Sequence, residues 1–204
     1  MRVQRYFVSM AIMRLFQVYK DQIKPDQATL LDAPGVSYSS TSSPYAVALI
    51  AHLPGNLNGG GHAAYVDVLG DDGQPLSNPP LRIGWTWEGR RDGEAAPPVA
   101  LDKGPLDASA GNVVIFKGEV LALWLQDGDR MISDIVSGLQ TATPDDDPAT
   151  GNSRFHNSFY IVFRKRGTLV QPSPPQPVTL EDQVKALQTD MAEVKRRIAV
   201  LEAR

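Results

Sequence analysis

Leu81-Arg82-Ile83-Gly84-Trp85-Thr86-Trp87-Glu88 alternates between two kinds of residue without a break. A period of two is the repeat of a half-buried β-strand, so Leu81, Ile83, Trp85 and Trp87 fall on one face. The neighbouring segments read the same way. Residues 45–52, Tyr-Ala-Val-Ala-Leu-Ile-Ala-His, form an apolar run closed by Leu53-Pro54-Gly55. A second strand is expected over residues 63–69, stopped by the turn signal Asp71-Asp72-Gly73. Further strands are expected over residues 99–102, 112–116, 119–126, 134–139 and 158–164, with Lys117-Gly118 joining two of them. Seven or eight short strands at regular spacing, with no helical pattern between them, predict a mainly β fold. The expected architecture is an antiparallel sandwich with immunoglobulin-like packing.

The chain has 204 residues, a formal net charge of −3 and no cysteine. That length holds one good core plus appendages. Disulfides and thiolate metal sites are excluded, and nothing in the global charge points to nucleic acid. Residues 1–34 read as an amino-terminal arm carrying five basic residues, Arg2, Arg5, Arg14, Lys20 and Lys24, between Arg2 and Lys24. Two readings of the arm stand side by side: docking on another protein, or a first strand or helix packing on its own domain. Its apolar run, residues 6–13, is interrupted by Arg14 and lacks a small-x-small cleavage site. It is also too short to span a bilayer, so neither secretion signal nor membrane insertion is expected. Residues 35–44, rich in Ser, Thr and Tyr, are expected to be a linker or an exposed strand edge, and the sandwich to occupy residues 45–167.

A different periodicity governs the end of the chain. Leu180, Val184, Leu187, Met191, Val194, Ile198 and Leu201 are spaced by alternating steps of four and three. This is the seam of a left-handed coiled coil, with Val184, Met191 and Ile198 at a and the other four at d. Asp190 with Lys195, and Arg197 with Glu202, supply favourable g-to-e pairs in a parallel arrangement. Arg197-Ile198-Ala199-Val200-Leu201-Glu202 is similar to the Arg-h-x-x-h-Glu signature of short trimeric coiled coils. β-Branched residues at a with Leu at d lean instead toward dimers. A parallel homotrimer is expected, with a dimer as the alternative. Thr179 and Asp182 supply an N-cap and a first-turn acid. The Pro-rich segment within residues 168–178 is a semi-rigid spacer, which disfavours docking of a coil over residues 179–204 on its own domain.

Catalytic signatures are missing from the sequence: no phosphate-binding loop, dinucleotide fingerprint, nucleophile elbow or H-E-x-x-H. His52, His62 and His156 lack ligand spacing, and Asp145-Asp146-Asp147 lacks the oxygen pattern of a calcium loop. No metal, no cofactor and no catalytic residue is expected. Glu88 and Asp102 are read as structural carboxylates. The one cluster with binding chemistry is Trp85, Trp87, Glu88, Arg90 and Arg91. Aromatic faces beside hydrogen-bonding groups suit a sugar. The same alternation also suits Trp85 and Trp87 as sandwich core.

Several of these segments together resemble a known module. They are residues 62–69, Trp85-Thr86-Trp87-Glu88-Gly89-Arg90-Arg91, Leu101-Asp102-Lys103, residues 134–139 and residues 156–163. Over about residues 45–165 the chain is similar to a small β-sandwich module of tailed-phage proteins and of bacterial secreted proteins found beside cell-wall hydrolases. That resemblance implies a non-catalytic attachment or binding module, and identifies no ligand. With the coil, it implies a non-enzymatic trimeric head-fibre or decoration protein at the virion surface. The expected partners are further copies of the chain, a major capsid or other virion protein, and a host-surface glycan. The alternative is a carbohydrate-binding tail-fibre or adhesin module.

Overall fold

The computed structural model describes residues 12–25, 27–53, 58, 61–104, 107–141 and 157–167. The expected coiled coil, its seam from Leu180 to Leu201 and the residues Arg197 and Glu202 lie outside the described residues, as do His156 and Asp145 to Asp147.

One helical segment, α1 (residues 12–20), precedes eleven strands. These are β1 (Thr29–Leu31), β2 (Ser37–Ser39), β3 (Tyr45–Leu53), β4 (Ala63–Leu69), β5 (Arg82–Trp87), β6 (Val99–Ala100), β7 (Gly111–Val114), β8 (Leu121–Asp127), β9 (Arg130–Met131), β10 (Ile135–Leu139) and β11 (Ser158–Lys165). They form two sheets. The first runs β1-β3-β11-β4-β7; the second runs β2-β10-β8-β5-β6, with β9 paired to the end of β8. The result is mainly β and sandwich-like, with mostly antiparallel pairing, compatible with an immunoglobulin-like module.

Two pairs in the first sheet are parallel, β1 with β3 and β11 with β4. The second follows from where the last strand goes. β11 inserts between β3 and β4, antiparallel to one and parallel to the other. β3 and β4, consecutive along the chain, therefore do not pair as a hairpin.

The sheets differ in how their residues alternate, and this sets the layers. In the second sheet Leu121, Leu123 and Leu125 of β8 are buried while Ala122, Trp124 and Gln126 face the other way. That is the pattern of a sheet packed on one side only. In the first sheet β3 and β11 are buried over nearly their whole length. Both of their faces are covered. On the inner face Ile50, Val66, Phe159, Ile161 and Phe163 meet Ile83, Leu123 and Leu125 across the sandwich. On the outer face Leu49, Ala51, Leu53, Tyr160 and Val162 receive Ile12 and Phe16 from α1. A one-residue irregularity lets β3 serve both faces: Val162 pairs with Leu49 and Phe163 with Val47, so Ala48 is the extra residue of a bulge.

Buried polar groups hold the ends together. Asp134, 1% exposed, accepts hydrogen bonds from the Thr41 N–H at 2.7 Å and the Val47 N–H at 3.0 Å, and pairs with Arg166 at 2.8 Å. Arg166 also donates to the Thr41 and Ser43 carbonyls. One ion pair thus ties the β2–β3 connection to the end of β11. At Gly138, φ is +83° and an added Cβ would collide with the Gly35 carbonyl, so only glycine fits where β10 shifts register.

Candidate functional site

Sequence alternation places Trp85 and Trp87 on the same face of β5 as Ile83, and the structure turns that face inward, packing both against the inter-sheet core while leaving them half-buried. Their rings lie 5.5 Å apart at 32°. The Trp85 indole N–H donates to the Pro97 carbonyl at 3.0 Å. Beyond Trp87 the chain turns through residues 88–94. Arg90 folds back so that its guanidinium sits 5.5 Å from the Trp87 ring centroid. Two of its nitrogens donate to the Glu94 carbonyl, at 3.0 and 2.6 Å, and the Glu94 carboxylate accepts from the Arg91 N–H. A cavity of about 410 Å³ opens here, lined by Thr86, Trp87 and Gly89 to Gly93. The cluster read from the sequence is therefore brought together, with Arg90 lying over the Trp87 ring. Glu88 is exposed, its N–H bonded to the Val120 carbonyl, and Asp102 is exposed just beyond β6.

Two clefts flank α1. One of about 480 Å³ is lined by Gln17, Lys20, Ile23, Gln74 and Arg164; the other, about 350 Å³, by Phe16, Lys20, Asp67, Lys103 and Asp107. Lys20 belongs to both, and its ammonium pairs with the Asp67 carboxylate at 2.7 Å. The same carboxylate accepts the Tyr160 hydroxyl at 2.5 Å and the Ala110 N–H at 2.7 Å. Burial, reinforced by the Asp67 charge and hydrogen bond, pushes the Tyr160 phenol far above its usual range. Such a tyrosine keeps its proton at any ordinary pH, so it serves as a hydrogen-bond donor and not as a nucleophile or base. Its chemistry here is to fasten α1 onto the sheet.

Among the described residues no group of three or more His, Asp or Glu side chains is placed to hold a metal ion. The His62 Nδ1 lies 2.7 Å from the Ile115 carbonyl oxygen. The His52 Nδ1 is buried without a hydrogen-bond partner, its ring 5.7 Å from that of Phe159. No described helix is long and apolar enough to cross a membrane.

Trp124 is the aromatic residue that the sequence reading passes over. It lies on β8 directly opposite Gly84 on β5, on the outward face of the second sheet. It belongs to neither packed cluster and is partly exposed. A Cβ built on Gly84 would strike the Trp124 indole and the Gln126 carboxamide, so the ring lies over the neighbouring strand and across the sheet surface. The signal was present in the alternation of Leu121, Leu123 and Leu125, which leaves a lone tryptophan on the polar side.

No family model, no curated protein and no solved structure matches this chain.

Proposed function

We propose that the chain is a non-enzymatic structural protein of a phage virion: a trimeric head-fibre or decoration protein displayed on the capsid, which also aids host-surface attachment. The observation that carries this reading is the unbroken heptad from Leu180 to Leu201, following a Pro-rich spacer and a β-sandwich. A stripe that narrow is buried by identical neighbours, and a parallel trimer presents three sandwiches from one stalk. Threefold symmetry suits a capsid surface, and three copies strengthen individually weak contacts. The arm at residues 1–34 or the coil would grip the particle. The polar groups of the sandwich fit this role, because Asp134 with Arg166 and Asp67 with Tyr160 and Lys20 fasten its elements to one another.

Light scattering on the full chain and on residues 1–167 tests the assembly, and mass spectrometry of density-banded particles from the host tests the location. A full chain of three-subunit mass, a monomeric 1–167 fragment and recovery of the chain with particles are expected. A monomeric full chain, or particles without it, overturns the reading.

A carbohydrate-binding tail-fibre or adhesin module recognising cell-envelope glycans is the second reading. One observation favours it, the partly exposed Trp124 laid across an outward sheet face.

A further inference from the structure

We infer that the outward face of the second sheet, centred on Trp124, is a binding site for an acidic sugar, a pyranose ring carrying a carboxylate or another anionic substituent. The inference rests on the carbohydrate-binding reading and is independent of virion assembly.

Three features converge on this face. The first is the platform. Gly84 has no side chain, and the space above it is taken by the Trp124 indole together with the Gln126 carboxamide, so the indole leans over β5 on the outward face. An indole held in place by neighbouring side chains is what the C–H face of a pyranose stacks upon, and its binding costs little ordering entropy. The pair Gly84 and Trp124 reads equally well as an aromatic residue protecting a glycine in a sheet. That reading explains why the ring leans over Gly84. The groups around the ring have no part in it.

Those groups are the second feature. The strand register puts Arg82 opposite Gln126 and Thr86 opposite Ala122, one pair on each side of the Gly84–Trp124 pair. With a rise of about 3.3 Å per residue, Arg82 and Thr86 each lie roughly 7 Å from Gly84 along β5. A cation and a hydroxyl thus stand on opposite sides of the aromatic residue, one toward each end of a ring stacked on it. Ala122 keeps the surface low on the Thr86 side of the ring, while the Gln126 carboxamide lies over Gly84 on the Arg82 side.

Charge is the third. Arg82 is exposed, and among the described residues its guanidinium has no hydrogen bond or ion pair. The outward positions of β5 and β8 are Arg82, Gly84, Thr86, Ala122, Trp124 and Gln126, and Arg82 is their one charged residue. An unpaired guanidinium beside an aromatic plane complements a carboxylate, which it meets with two parallel N–H donors. By contrast, Arg90 is already bonded to the Glu94 carbonyl and lies over Trp87, so that face is taken by the protein's own residues.

The experiment uses the full chain. Affinity electrophoresis through polygalacturonate, through neutral dextran and through a plain gel compares the native protein with Trp124→Phe, Trp124→Ala and Arg82→Gln. Thermal unfolding of each variant checks folding. A folded native chain retarded by polygalacturonate and not by dextran is expected. Trp124→Ala and Arg82→Gln should each weaken retardation about tenfold or more, with Trp124→Phe between. Arg82→Gln leaves the Gly84–Trp124 contact in place, so it tests the site even where Trp124→Ala does not fold. In ¹⁵N-labelled native protein the Trp124 indole N–H resonance should shift on titration with galacturonate oligomers, a readout that a purely structural tryptophan would not give. Retardation that survives both substitutions in folded protein overturns this site and leaves carbohydrate binding elsewhere on the chain. Retardation by dextran alone overturns the acidic-sugar assignment. No retardation in either gel with no resonance shift overturns the proposal.

Discussion

Phe16 lies flat on Tyr160, with ring centroids 3.8 Å apart and planes 5° from parallel. This stack is where the helix meets the sheet. Lys20, one turn further along α1, reaches past the same ring to Asp67, which in turn accepts the Tyr160 hydroxyl. Apolar contact and polar closure therefore meet on one side chain, and α1 becomes a third layer on the sandwich.

Replacing Phe16 with alanine removes the largest apolar group of that layer. Phe16 is 2% exposed, so the loss is expected to be about 3–5 kcal/mol, the range for large core aromatics. Urea unfolding followed by tryptophan fluorescence measures it. A cost below about 1 kcal/mol would mean that α1 contributes little to the fold.

Alkali should weaken the protein through Tyr160. An unfolded tyrosine loses its proton near pH 10, whereas burial and Asp67 hold the folded Tyr160 phenol well above that value. The folded state then binds more protons than the unfolded one. Stability from this group is complete below about pH 10 and falls as pH rises above it, by up to about 1.4 kcal/mol per pH unit. Tyr19, Tyr45 and Tyr65 are shifted in the same direction, mainly by burial, and add to the slope. Tyr160→Phe should flatten the pH dependence of the urea midpoint between about pH 10 and 12 without abolishing it. An unchanged slope in that variant would contradict the assignment.

The long strands were legible because their periodicity survives in the residues: β4 falls on the expected 63–69, and β3, β5, β8, β10 and β11 within a residue or two. Short elements carried no such signal. β1 and β9 are three and two residues long, too few for any period to appear, and both exist because neighbouring strands offer them an edge. The apolar runs of β3 and β11 fit a sheet buried on both faces, but nothing in them says which segment covers the second one. Pairing order is equally invisible, since nothing local in residues 158–165 distinguishes insertion between β3 and β4 from addition at an edge. For the candidate site, the Trp85-Thr86-Trp87 doublet was conspicuous in the sequence, yet alternation alone assigns a strand two faces without stating which is the core. Ile83, fully buried in line with both tryptophans, decides it. That same geometry leaves Trp124 as the outward aromatic residue.

Breaking the Asp134–Arg166 pair should cost more from one side than from the other. Asp134→Ala strands the Thr41 and Val47 N–H groups and the Arg166 charge together. Removing one partner of such a buried pair costs about 3–5 kcal/mol. Arg166→Met leaves the carboxylate with its two backbone donors, and Arg166 is itself partly exposed, so a smaller loss is expected. Equal losses in denaturant midpoint for the two variants would show that the backbone hydrogen bonds carry little.

Gly138→Ala should be among the most damaging single-methyl additions in the sandwich. The left-handed backbone alone costs about 1–2 kcal/mol for a residue with a Cβ. The collision with the Gly35 carbonyl adds an overpacking term of about 1–3 kcal/mol, because the Ser37–Ser137 strand pair beside it limits how far the two segments can part. Because β2 is bonded to β10 at this point, hydrogen exchange should speed up first at Ser37 to Ser39. Exchange that rises uniformly instead would place the strain elsewhere.

Truncation separates what the sandwich needs from what it carries. Residues 158–165 form the middle strand of the first sheet, paired along eight positions to β3 and six to β4. Without them β3 and β4 each lose a neighbour, Phe159, Ile161 and Phe163 leave the inter-sheet core, and Tyr160 leaves the seat of α1. A chain ending at residue 157 therefore has no way to close its sheet and should remain unfolded, with no cooperative thermal transition. A chain ending at residue 167 keeps every one of these contacts, together with Arg166 on Asp134, and should unfold cooperatively near the temperature of the full chain. Because the last strand must arrive before the first sheet exists, folding depends on contacts far apart in sequence and is expected to be slow for a domain of this size. Stopped-flow refolding of the 1–167 chain measures this. Sub-millisecond recovery of native fluorescence would mean that β3 and β4 form a nucleus without β11, against the sheet order seen here.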